Sequence, residues 1–161
     1  MYRLSLERKI AISQRTSAGK DGGSGRFEWQ QAGDVLDFKL SAPLSNQTWQ
    51  LVGIPGAYEL RDSKGERYQN ASAEQLILDV SGWVLPVSAL RAWMKGFAYN
   101  EASARVETNA DGTLKSLVEA DWLVRYERYR DKEPRLPERV KAEQAGAMVK
   151  LIVKSWEGCA Q

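Results

Sequence analysis

The chain has 161 residues, with 23 Lys and Arg against 21 Asp and Glu, no His, and a formal net charge of +2. At 43% hydrophobic and 27% charged residues it has an ordinary globular composition, and it is long enough to bury a core as one domain, residues 1–161, without disulfides or a structural metal. The missing His excludes Ser–His and Cys–His nucleophile pairs and most zinc sites, the lone Cys159 cannot form an intramolecular bridge, and scattered cations with so small a net charge argue against nucleic acid.

Met1 to Arg8 lacks the apolar core of a secretory signal, and no stretch approaches the ~20 apolar residues of a membrane span. Leu6 to Ile12 alternates loosely and runs into a polar, glycine-rich stretch, Thr16 to Gly25, read as a flexible loop. Phe27, Trp29 and Gln31 then oppose Arg26, Glu28 and Gln30, while Leu36, Phe38 and Leu40 oppose Asp37 and Lys39. This is the period of half-buried strands, and Ala32-Gly33-Asp34 joins them as a hairpin. Further strands are expected over Gln47–Val52, Ala57–Arg61 and Glu66–Gln69, separated by Pro55-Gly56 and by Ser63-Lys64-Gly65.

The period then changes. Ser72 and Gln75 are spaced as a capping box, Ala73, Leu76, Ile77 and Val80 share one helical face, and Gly82 closes the helix. Pro86 opens a second helix with Val87, Leu90, Trp93 and Met94 on its apolar side, ending at Lys95-Gly96. Strands resume at Ala104–Thr108, Leu114–Glu119, Trp122–Tyr129, Arg139–Glu143 and Val149–Trp156, with a turn at Asp111-Gly112 and a loop between Pro134 and Pro137. Cys159 falls in a stretch read as a frayed end. Roughly eleven short strands and two short helices give a mainly β fold whose curled antiparallel sheet carries helices on its concave face.

Catalytic signatures are lacking. Gly19-Lys20 has neither the earlier Gly nor the following Ser or Thr of a phosphate loop, and Gly23-Ser24-Gly25 precedes a strand rather than a helix. Glu119 and Asp121 are read as solvated carboxylates, not an acid–base pair. The reading therefore assigns no catalytic residues, no metal site and no cofactor. What remains is apolar bulk: Trp29, Trp49, Trp83, Trp93, Trp122 and Trp156 form either an aromatic core or the wall of a ligand cavity.

Gly25-Arg26-Phe27-Glu28-Trp29-Gln30-Gln31, Ala42-Pro43-Leu44, Asp62-Ser63-Lys64-Gly65-Glu66-Arg67-Tyr68 and, most specifically, Gly82-Trp83-Val84-Leu85-Pro86-Val87 through Leu90-Arg91-Ala92-Trp93-Met94-Lys95-Gly96 resemble the LolB outer-membrane lipoprotein receptors, in the family's order from Leu6 to Glu157. The resemblance implies an open antiparallel half-barrel of about eleven strands covered by helices. It also implies a non-enzymatic role: acyl chains are bound in an apolar cavity, and lipoproteins are taken from the periplasmic carrier LolA and inserted into the inner leaflet of the outer membrane, without nucleic acid. The expected cavity wall is Phe27, Trp29, Leu36, Phe38, Leu40, Ile77, Val80, Trp83, Leu85, Leu90, Trp93 and Met94. Pro43 and Leu44 match the family's membrane-insertion loop. The implied location is the periplasmic face of the outer membrane, normally lipid-anchored; an anchoring Cys and an export signal find no counterpart before Leu6, as expected of either a trimmed lipoprotein, the preferred reading, or a naturally unanchored relative. The alternative is a passive binder of another hydrophobic ligand, lipocalin-like in physics, without LolA exchange.

Overall fold

The computed structural model describes residues 3–16, 19–42, 47–153 and 157–159, with side chains described over 25–41 and 47–153. The chain divides into two compact units, Met1–Ile10 with Gly23–Leu85 and Val153–Gln161, and Ala11–Gly22 with Pro86–Ile152.

In the first unit, β2 (Gly19–Ala32, which belongs to this unit from Gly23 on), β3 (Val35–Ala42), β4 (Gln47–Ile54), β5 (Ala57–Arg61) and β6 (Arg67–Asn70) form an antiparallel sheet in chain order with β6 at its edge. The register aligns Trp29, Phe38, Leu51, Leu60 and Tyr68 across all five strands. Alternation puts these residues and the flanking row Gln31, Leu36, Gly53 and Tyr58 on one face, which is where this unit's core lies. Gly53 has a glycine-only φ of +143°, and a Cβ there would sit 2.2 Å from the Ala57 carbonyl oxygen; the strands approach this closely only because the side chain is missing. β1 (Arg3–Thr16) pairs through Arg3, Leu4 and Ser5 with β12 (Glu157–Cys159).

Helix α1 (Ala73–Ser81) packs on β5 and β6, burying Ala73, Leu76 and Ile77. The Ser72 hydroxyl accepts from the Gln75 amide, but the Gln75 side chain donates forward to Asp79 instead of back to Ser72. Half of the expected capping box therefore forms, and Gln75 takes the i,i+4 partner on its own helix face. Gly82 ends the helix in the left-handed region, its N–H donating to the Leu78 carbonyl.

The second unit holds α2 (Val87–Trp93) and the antiparallel strands β7 (Arg105–Thr108), β8 (Leu114–Glu119), β9 (Trp122–Tyr129), β10 (Pro137–Gln144) and β11 (Ala147–Val153), with β7 at the edge. Leu117, Val124, Ala142 and Val149 form one buried cross-strand row, and Tyr126, Val140 and Leu151 the next. Ala120 and Asp121, with φ of 49° and 66°, make the two-residue β8–β9 turn. Left-handed backbone at both positions matches the right-handed strand twist.

The expected mainly β, antiparallel architecture with two helices is observed, and neither sheet closes into a barrel. Among the described residues the two sheets contain ten strands, against the eleven expected, and β1 and β12 pair with each other besides. Two local expectations are corrected. Gly19 to Gly25 is not a loop but the first half of β2, and Cys159 lies in β12, opposite Arg3. In both places backbone pairing with a neighbouring strand overrides turn-prone composition or terminal position.

Candidate functional site

Each unit presents an apolar face, and the expected wall residues divide between them. In the first unit Phe27 pairs with Leu40, Trp29 with Phe38 and Gln31 with Leu36, so the five β2–β3 wall residues share one side of the hairpin. Phe27, Trp29, Leu36 and Phe38 are buried and Leu40 is half-buried. The Phe38 ring lies 5.2 Å from that of Trp29 and 6.0 Å from that of Phe27, in tilted arrangements that avoid face-to-face repulsion. Ile77 on α1 and Leu85 are buried, whereas Val80 and Trp83 are half-buried.

The Trp29 indole N–H is buried and, among the described residues, meets no hydrogen-bond acceptor, a costly state in an apolar setting. Gln31, its polar neighbour on the same face, is satisfied by donating to the Gly33 carbonyl at 2.9 Å. Leu51, Tyr58 and Leu60 extend the same face. Their alternation is visible in the sequence and could have placed them beside the residues named from it.

In the second unit Leu90, Trp93 and Met94 are buried, the last two completely. Trp93 is held on three sides. Its ring meets Trp122 at 6.2 Å, its carbonyl accepts from the Tyr126 hydroxyl at 2.7 Å, and its indole N–H donates to Glu119 at 2.8 Å. Glu119 also accepts from the backbone N–H of Tyr99, at 2.9 Å, and of Asn100. The reading of Glu119 as a solvated carboxylate is thus corrected: it is 3% exposed, at the end of β8, while Asp121 is exposed in the following turn. A buried carboxylate survives when N–H donors replace its water, and these donors come from residues 19 to 26 positions away. Only its strand alternation with Leu117 marked it as inward-facing.

Burial pushes the Tyr126 hydroxyl well above the ordinary tyrosine range, assisted by the nearby Tyr129 and Glu119. Tyr129, which donates to the Leu114 carbonyl, is raised chiefly by burial as well. Both remain protonated donors at neutral pH. The face is chemically quiet: both oxygens of Glu119 are committed to N–H donors, which suits positioning rather than proton transfer.

Pro43 and Leu44, the expected insertion loop, lie outside the described residues. A cleft of about 550 Å³ at the β4–β5 turn and β6, lined by Val52, Gly53, Ala57, Glu59, Gln69 and Asn70 among others, contains none of the expected wall residues. Glu59 at its rim is held below the usual carboxylate range, first by its hydrogen bond from Arg61. Among the described residues no helix is long and apolar enough to cross a membrane, and no His, Cys, Asp and Glu cluster could hold a metal ion.

Residues 3–156 match the family model described as outer membrane lipoprotein LolB. The outer-membrane lipoprotein LolB of Xanthomonas campestris pv. campestris is 34% identical over 158 residues, covering 94% of this chain and 71% of its own. That of Pseudomonas syringae pv. syringae is 38% identical over 141 residues, covering 87% and 69%. Among solved structures, a LolA superfamily protein from Nitrosomonas europaea aligns with a TM-score of 0.55 over 98% of this chain and 87% of its own, at 10% identity, a likeness of fold alone.

Proposed function

Because the chain belongs to the LolB family of outer-membrane lipoproteins, a family of lipoprotein receptors and not of enzymes, we propose that it accepts acylated lipoproteins from a LolA-type periplasmic carrier and delivers them to the inner leaflet of the outer membrane. The acyl chains bind the apolar faces. In the first unit these are Phe27, Trp29, Leu36, Phe38 and Leu40 with Ile77, Val80, Trp83 and Leu85; in the second, Leu90, Trp93 and Met94. The whole chain acts as one lipoprotein-binding domain, without a cofactor, at the periplasmic face of the outer membrane.

The observation that supports the reading is the family match across residues 3–156. The driving force is ordinary: each methylene moved from water to an apolar surface contributes about 0.8 kcal/mol, so two carriers of graded apolarity can pass an acyl chain without nucleotide hydrolysis. The Pro43-Leu44 segment meets the bilayer during release.

The test is exchange. Carrier loaded with a labelled lipoprotein is mixed with this chain, and the label is followed by co-purification and then into liposomes. Label should move to the chain and onward. Leu44→Glu should still take the label but deposit it poorly, and normal deposition by that variant removes the insertion role from Leu44. Binding of a free acylated peptide with no exchange from the carrier would instead favour the passive binder.

A further inference from the structure

Two large aromatic side chains stand in solvent just after α2: Phe97 is 59% exposed and Tyr99 60%. Their backbone is held closely. The Phe97 N–H donates to the Ala92 carbonyl at 3.1 Å and the Gly96 N–H to the Trp93 carbonyl at 3.0 Å, folding the chain back on the helix end. The Tyr99 and Asn100 N–H groups donate to buried Glu119, and the Asn100 carbonyl accepts from Ser103 and Ala104. A buried carboxylate thus anchors the backbone of a segment that turns its aromatic rings outward.

Charge along the segment is on balance positive: from Arg91 to Arg105 the sequence carries Arg91, Lys95 and Arg105 against Glu101, with the Glu119 carboxylate buried beneath it. Lys95 is half-buried next to Arg91, close enough to feel its charge. Amphipathic rings beside cations are the side-chain chemistry that partitions into the headgroup zone of a bilayer, where rings settle at the carbonyl level and cations meet lipid phosphates.

We propose that the Phe97–Tyr99 segment is a membrane-contact surface that docks this chain on an anionic phospholipid bilayer. The occupant is the lipid interface. Anchoring by Glu119 serves this use, since a segment already ordered loses little entropy when its rings enter the headgroups. This contact is distinct from the Pro43-Leu44 segment and does not depend on lipoprotein exchange.

The experiment is co-sedimentation with vesicles of phosphatidylethanolamine and phosphatidylglycerol, with vesicles of phosphatidylcholine alone for comparison. The intact chain should bind the anionic vesicles, more weakly as salt is raised. Phe97→Ser with Tyr99→Ser should lower its partition coefficient by about tenfold, since two apolar contacts with the interface are lost. Phe97→Trp with Tyr99→Trp should bind as the parent does, because headgroup partitioning asks for an aromatic ring and not a particular shape. All three proteins should melt alike, as the replaced side chains are exposed.

Equal vesicle binding by the double-Ser variant overturns the proposal, as does failure of the parent chain to bind. So does loss of binding by the double-Trp variant equal to that of the double-Ser, or a defect confined to exchange with the carrier, which would assign the surface to a protein partner. Lipoprotein exchange, measured separately on the same variants, keeps the outcome distinct from that of the receptor reading.

Discussion

Replacing Glu119 tests whether one buried carboxylate organises the second unit. Glu119→Leu keeps similar bulk and removes the acceptor for three N–H groups, those of Trp93, Tyr99 and Asn100. Trp93 is wholly buried, so its indole N–H has no route to water and should cost about 1–3 kcal/mol unpaired. Tyr99 and Asn100 belong to exposed residues, and water can restore part of what their amides lose, at roughly 0.5–1.5 kcal/mol each. Removing a buried charge recovers some desolvation energy, which leaves a net loss of about 2–4 kcal/mol. Glu119→Gln should fall between, at about 1–2 kcal/mol, because its amide can accept through one oxygen only and turns an NH₂ toward an N–H donor. Urea denaturation with a constant m-value gives the difference directly, and amide hydrogen exchange at residues 99 and 100 should quicken in both variants. A Leu variant within ~0.5 kcal/mol of the parent, or unchanged exchange at those amides, would refute the assignment.

Three further outcomes are expected. Trp93→Phe removes a paired N–H and should cost about 2–4 kcal/mol, whereas Trp29→Phe removes one without an acceptor, so the relief should offset most of the lost packing and leave it within about 1 kcal/mol of the parent; equal costs in denaturation would contradict the contrast. Gly53→Ala should cost about 3 kcal/mol, because a Cβ 2.2 Å from the Ala57 oxygen forces the β4–β5 hairpin apart, and a thermal midpoint near the parent's would show that the strands can yield. Lys95 has its pKa lowered from 10.5, first by burial and then by Arg91, so the folded chain releases this proton at a lower pH than the unfolded one. Its penalty is full below the folded pKa and fades as pH rises towards 10.5. Lys95→Met should therefore raise the urea midpoint at pH 7 and lose that advantage in alkali, and an advantage constant with pH would contradict the shift.

The sequence by itself determined most of the elements and which residues face inward. Alternation marked Phe27, Trp29, Leu36 and Phe38, helical spacing marked Ala73, Leu76 and Ile77, and Ser72 and Gly82 bounded α1, because these signals act between near neighbours in the chain. The motifs around Trp83 to Gly96 carried the family as well. Where pairing with another strand decides the outcome, composition misled. Glycine-rich Gly19–Gly25 reads as a loop but is paired backbone, and Cys159 reads as a frayed end but sits opposite Arg3. The same limit hid the chemistry of the second unit. Whether Glu119 is bathed in water or enclosed depends on donors from Trp93, Tyr99 and Asn100, which only the folded chain brings to it, and whether an indole N–H finds an acceptor separates Trp93 from Trp29 although both lie on apolar faces. Periodicity records the side to which a residue points; the solvation of a polar atom is set by what the rest of the chain places around it.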